Sequence, residues 1–275
     1  MRYAKGHGTG NDFVILRDPD DRLRLSAELV RRLCDRHTGI GADGVLRIVT
    51  GEAAGADGVP WFMDYRNADG GVAEMCGNGI RVFARYLIDR GFAAGPEVTI
   101  GTRAGVRTVR RETGGQFSVD MGPATITGKG SAEIGGQSYQ GLAVDVGNPH
   151  LVCVTSRPVA EFDLSVPPVV DDADFPDGVN VEVVRLTGDR SVEMRVRERG
   201  SGETRSCGTG AVAAAVAAAA ATGLWPGTGS DRWLVAVPGG TLTVTPGEVG
   251  SVLTGPAVIV AEGETEPGWL EHQGS

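Results

Sequence analysis

Asn67-Ala-Asp-Gly-Gly-Val-Ala-Glu-Met-Cys76-Gly-Asn-Gly79 and Glu198-Arg-Gly-Ser-Gly-Glu-Thr-Arg-Ser-Cys207-Gly-Thr-Gly210 share one grammar. In each, a polar residue stands nine positions before a cysteine, and Cys-Gly-x-Gly opens a run with helix-like spacing. Upstream, Gly10-Asn11 precedes the first cysteine by a distance similar to that of Gly147-Asn148 before the second. A motif repeated around a thiol predicts one site built from two halves. Two opposed thiols suit one task well: taking a proton from one face of a carbon and returning it from the other.

Beyond Cys76, the positions Ile80, Phe83, Ala84 and Leu87 keep helical spacing as far as Asp89, and Gly91 fits the C-cap. Beyond Cys207, the run from Gly210 to Gly223 is nearly all Ala and Val. That predicts a helix buried on every side, because alanine lets a surrounding sheet approach closely. Ser26 can cap a further helix that carries Leu29, Val30 and Leu33 and ends near Gly39.

The remaining signals are strands. Met1–Lys5 and Asp12–Leu16 flank a loop from Gly6 to Asn11, and Trp61–Tyr65 follows. Short strands run from Val98 to about Asp120, with a turn at Gly114-Gly115. The pattern restarts with Leu142–Val154 around Gly147-Asn-Pro-His150, then Val179–Val184 and Ser191–Arg197. Trp233–Val237 and Thr241–Thr245 pair across Pro238-Gly-Gly240. The expected fold class is α+β, with two pseudo-symmetric halves, each a curved, mostly antiparallel, barrel-like sheet around a central helix. The active site is expected in the cleft between them. Residues 1–121 form the N-terminal half, joined by the last strand at about 257–268, and residues 122–256 form the C-terminal half.

With 26 Lys and Arg against 35 Asp and Glu, the chain carries a net charge of −9. It has no electrostatic footprint for nucleic acid or an anionic membrane, so a small-molecule substrate is the expected partner, with a homodimer compatible. Met1-Arg-Tyr-Ala-Lys5 runs into a Gly-rich polar loop with no apolar signal segment, and the longest apolar run, Ala211 to Ala221, is short of the ~20 residues a spanning helix needs. A cytoplasmic location and reduced cysteines are expected. Cys34, Cys76, Cys153 and Cys207 show neither C-x-x-C spacing nor paired histidines, so no metal is expected. Gly6-His-Gly-Thr-Gly10 is G-x-G-x-G rather than a dinucleotide fingerprint, and no cofactor is implied.

Cys76 and Cys207 stand at two helix starts, where unpaired N–H groups and the positive dipole end favour a thiolate. The same N–H groups can hold a carboxylate, with Gly77, Gly79, Gly208 and Gly210 allowing close approach. Cys34 and Cys153 lie on apolar faces and read as core. His150 and Glu198, each on a polar loop, are candidates for tuning thiol protonation. His7 reads as structural in its turn; His37 and His272 carry no signal.

At these residues the chain resembles the diaminopimelate epimerase family along nearly its whole length. The resemblance is carried by Gly8-Thr-Gly-Asn-Asp12, Asp35-Arg-His-Thr-Gly-Ile-Gly-Ala-Asp43, Asn67-Ala-Asp-Gly70 and Met75-Cys-Gly-Asn-Gly79. Further along it continues in Gly147-Asn-Pro-His150, Val179-Asn180, Glu198-Arg-Gly-Ser-Gly-Glu203, Cys207-Gly-Thr-Gly210 and Pro238-Gly-Gly240. It implies interconversion of LL- and meso-diaminopimelate without pyridoxal phosphate, a step of lysine and cell-wall precursor synthesis. Cys76 and Cys207 match the family's acid/base thiols, and His150 and Glu198 the residues that tune them. Asn11, Asn67, Gly77, Asn78, Asn148, Asn180, Glu198, Arg199, Gly208 and Thr209 match its substrate-binding positions. One departure stands out: many members carry Gln where this chain has Gly44.

Two other functions compete. One is another two-cysteine amino-acid racemase on the same scaffold, similar to proline racemases, which typically carry His at the position of Asn78. The other is a non-catalytic dithiol ligand-binding protein, against which the presence of both thiols, Glu198 and Arg199 argues.

Overall fold

A computed structural model of the chain describes residues 1–171, 173–226 and 231–269; His272 lies outside them. The described residues are mostly sheet, with three α-helices. None of these helices is long and apolar enough to cross a membrane. The chain divides into two compact units, one of Met1–Gly8, Asp12–Phe117 and the described residues from Ala257, the other of Thr9–Asn11 and Ser118–Pro256.

In the first unit, β1 (Arg2–Gly8) leads through Thr9-Gly10 into β2 (Asn11–Arg17). The loop expected from Gly6 is strand instead: after a bulge at Lys5/Gly6, Gly6 and His7 pair with Ile259 and Val258. A Cβ on Gly6 would lie 2.7 Å from Val258 O and 2.8 Å from a Val82 methyl, so this glycine permits close packing rather than a turn. Helix α1 (Ala27–Cys34) has its N-cap at Ser26, whose Oγ accepts from Leu29 N–H at 3.2 Å. It stops at Cys34 rather than near Gly39, because Asp35 Oδ1 takes the N–H groups of His37 and Thr38, at 2.8 and 2.6 Å. Such a side chain offers the backbone an alternative to the helix ladder.

Strand β3 (Gly44–Thr50) lies parallel to β2 and antiparallel to β4 (Trp61–Asn67). It went unread in the sequence because it is buried on both faces and so does not alternate, and because Arg47 interrupts its apolar run. That charge is compensated inside, with Arg47 Nε 2.9 Å from Asp64 Oδ2. Helix α2 (Gly77–Asp89) packs on β1, β3 and β4, followed by the antiparallel pair β5 (Glu97–Thr102) and β6 (Gly105–Arg111).

The second unit contains the strands β7 (Phe117–Gly122, from Ser118 on), β8 (Thr125–Ile134), β9 (Gln137–Asp145), β10 (Pro149–Val154) and β11 (Val169–Val170). Then come β12 (Asn180–Gly188), β13 (Ser191–Glu198) and β14 (Gly202–Thr204). Helix α3 (Gly208–Ala221) precedes β15 (Trp233–Val237), β16 (Gly240–Thr245) and β17 (Ser251–Gly255). Strand β10 runs parallel to β12 and antiparallel to β9, while β13 runs antiparallel to β12 and parallel to β15. Strand β8 gave no periodic signal because its Gly- and Lys-containing middle is largely exposed.

The β10–β12 pair is two-sided. Leu151, Cys153, Val181 and Val183 enter an apolar cluster with Ala132, Ile134, Phe162 and Leu164. The alternate residues face α3, which packs against β9, β10, β12, β13, β15, β16 and β17 and is fully buried from Ala211 to Ala218. Finally, β18 (Val258–Glu264) belongs to the first unit and pairs antiparallel with β1.

Candidate active site

Cys76 is the N-cap of α2: its backbone is extended (φ −135°, ψ 118°) and its Sγ accepts from Gly79 N–H at 3.4 Å. Beneath it, Asn78 and Arg81 are completely buried. Arg81 donates to Gly77 O at 2.9 Å and to Asn78 Oδ1 at 2.8 Å. Burial lowers the Arg81 guanidinium to about 10, against the pull of a negative Cys76, so it remains a cation at neutral pH. By reciprocity that cation favours the Cys76 thiolate. Asn67 ends β4, its N–H donating to Gly71 O at 2.9 Å.

Asn67 pairs with Gly44. A Cβ there would sit 2.6 Å from Arg66 O and 2.8 Å from the Tyr65 ring. A larger residue there would meet both the Arg66 carbonyl and the Tyr65 ring, so the packing of this structure calls for glycine.

Cys207 is the N-cap of α3 in nearly the same conformation (φ −119°, ψ 123°), and its Sγ accepts from Gly210 N–H at 3.4 Å. Thr209 Oγ1 also lies 3.4 Å from Sγ. Glu198, at the end of β13, faces this thiol and accepts from Thr204 Oγ1. Asn180 Oδ1 accepts from Arg199 N–H at 2.9 Å, and its Nδ2 donates to Pro149 O at 3.3 Å. The exposed Arg199 side chain donates to Asp177 O at 2.8 Å. Asn148 Oδ1 lies 3.0 Å from His150 Nε2. Asn11 is buried at the start of β2. A cavity of about 240 Å³ in this unit includes Val179, Arg197, Glu198 and Arg199 in its lining.

For Cys207 the helix start does not decide the protonation state. Burial, then the Glu198 and Glu182 carboxylates, push its thiol well above the ordinary value, against the smaller help of Thr209 and Gly210 N–H. Burial also raises Glu198, with the Glu182 charge adding to it. Cys34 and Cys153 are pushed by burial to about 12, as inert core thiols should be.

Two residues here escaped sequence reading. Glu182 is fully buried in β12, with Oε1 2.7 Å from His150 Nδ1. Its only signal is a charge between Val181 and Val183, at a position whose alternation gives it a whole face. Arg81 hides in the first turns of a helix that otherwise reads as apolar.

The chain therefore has two helix-capping thiols of matching geometry, one beside a buried cation and one beside buried carboxylates. Among solved structures, a PhzF-family phenazine biosynthesis protein from Bacillus anthracis superposes with a TM-score of 0.72 at 15% identity, covering 97% of this chain and 99% of that one. A hydroxyproline epimerase from Agrobacterium vitis gives 0.67 at 17% identity, over 96% and 91%. At such identities the likeness is one of fold. Sequence relatives come nearer: a diaminopimelate epimerase from Thermobifida fusca is 56% identical over 273 residues, 96% of this chain and 97% of its own length. The enzyme of the same name from Mycobacterium tuberculosis is 51% identical over 293 residues, with complete coverage of both chains. The family profile of diaminopimelate epimerase matches residues 3–127 and 142–260, a span that takes in both thiols, and to that family the chain belongs.

Proposed function

We propose that this protein is a cofactor-independent isomerase that epimerises LL-diaminopimelate to meso-diaminopimelate, with Cys76 and Cys207 as its two acid/base groups. The observation that carries the residue assignment is the paired cap: each Sγ sits at a helix start and accepts an N–H three residues on, at 3.4 Å in both cases. Arg81 below Cys76 favours a resting thiolate, while the carboxylates around Cys207 favour a resting thiol. The thiolate removes the α-proton and the thiol delivers its own proton to the opposite face; the roles exchange in reverse.

The carbanion formed on the way needs its carboxylate held by fixed donors. N–H groups of Gly77, Asn78, Gly208 and Thr209 at the two helix starts provide them. Asn11, Asn67, Asn148, Asn180, Glu198 and Arg199 hold the rest of the substrate, and His150 and Glu198 tune thiol protonation. The two compact units are then the pseudo-symmetric halves of a duplicated fold, each a sheet around its helix and each giving one thiol. A cytoplasmic location and a homodimer accord with this chemistry.

The test is α-proton exchange with LL-diaminopimelate in heavy water, with no cofactor added. Cys76→Ala and Cys207→Ala should each reduce epimerisation at least ~10²-fold, the scale of a positioned acid or base. Near-normal epimerisation by either variant excludes the two-thiol assignment. Turnover of proline with none of diaminopimelate would favour the racemase-like alternative.

A further inference from the structure

In β12, Val181 and Val183 enter the apolar cluster, and Glu182 takes the opposite face, toward α3. Strand β10 runs alongside with His150 opposite Asn180 and Val152 opposite Glu182, so His150 and Glu182 share that face. Both side chains are fully enclosed, with Glu182 Oε1 2.7 Å from His150 Nδ1. Glu182 Oε2 has no hydrogen-bond partner among the described residues. An enclosed carboxyl with an orphaned oxygen costs stability that an apolar residue of similar size would not. Room for it exists because residue 210 is glycine: a Cβ there would sit 2.7 Å from Glu182 Oε1.

An uncompensated carboxylate is strongly disfavoured in such a place, and Glu198 adds a second negative charge nearby. The Glu182–His150 pair therefore keeps its shared proton. If that proton rests on the ring, His150 is an imidazolium and Nε2 bears hydrogen. If it rests on the carboxyl, the neutral ring accepts at Nδ1 and its own hydrogen must be on Nε2. Either way Nε2 donates, and the group 3.0 Å away must be the Asn148 oxygen. The Asn148 NH2 group is then turned away from the ring.

We propose that Glu182 is a positioning residue: acting through His150, it fixes the Asn148 amide so that its NH2 group is offered as a donor to a carboxylate of the ligand. This deepens the diaminopimelate assignment and rests on it, since Asn148 is a substrate-binding residue there.

Two measurements test it. The first is nitrogen-15 NMR of histidine-labelled intact protein without substrate, the His150 signals being assigned by their loss in His150→Gln. Nε2 should carry hydrogen; a bare Nε2 in the unmodified protein overturns the proposal. The second is Glu182→Gln, which keeps the shape but removes the shared proton and so leaves the ring free to bond either way. For LL-diaminopimelate its KM should rise about tenfold, the scale of one hydrogen bond to a charged group. Unchanged KM in a folded Glu182→Gln protein also overturns it. If that variant fails to fold, the NMR measurement alone decides. A protonated Nε2 in a protein that does not epimerise diaminopimelate would support the positioning role and count against the substrate assignment alone.

Discussion

Cys207 lies among groups that oppose its ionisation, and Glu198 is the foremost of these after burial itself. Its carboxylate faces the sulfur directly, so replacing it by an amide removes a like charge while keeping the shape. In Glu198→Gln the pH at which Cys207 becomes reactive should fall by about one unit or more, as expected for a like charge in contact. Alkylation rates followed by peptide mapping across pH 6–11 would read this out, and a profile identical to that of the unmodified protein would contradict it. Cys34 and Cys153, raised by burial to about 12, serve as internal controls that should stay unmodified in both proteins.

Between elements, charge does the joining in the first unit. Lys5 on β1 lies 2.7 Å from Asp12 on β2, and Arg36, just past α1, reaches Asp12 at 2.7 Å and Asp43 at 2.8 Å. Burial works against the charged form of Asp12, but Arg36 and Lys5 overcome it and hold the carboxyl well below the usual range. A depressed carboxyl stabilises the fold above its unfolded value, near pH 4, and loses that contribution as pH falls toward the folded value. Asp12→Asn should therefore be less stable than the unmodified protein at pH 7, with the gap closing below about pH 4. Urea midpoints at several pH values measure this, and a gap independent of pH would refute it.

The same scale shows what a reader of the sequence can and cannot see. Helices α2 and α3 are legible from spacing, although each begins two residues earlier than its apolar pattern because glycines open the helix at Gly77 and Gly208. Strand β3 is not legible, since burial on both faces erases alternation. At the candidate site, residues flagged by motif include Cys76, Cys207, His150 and Glu198. Glu182 and Arg81 carry no motif, and their meaning lies in what encloses them, which only the folded chain reveals.

At the scale of the whole molecule, the first unit is discontinuous in sequence and the second is nearly continuous from Ser118 to Pro256. A chain ending at Pro256 lacks β18 and leaves β1 with one edge unpaired, β2 remaining on the other. In that truncated protein, limited proteolysis should cut within residues 12–117 while fragments from 118–256 persist. Equal resistance of both regions would show that β18 contributes little to the first unit.

The pairing of β18 with β1 also sets an order of events in the cell. Synthesis runs from the N-terminus, and domains usually fold in the order in which they emerge. Here Arg2–Gly8 is made before the second unit, and its partner Val258–Glu264 after it. Strand β1 must wait for β18 until the residues of the second unit have been made, one of its edges open meanwhile to mispairing or to chaperones. The second unit can be complete while the first is still unfinished on the ribosome.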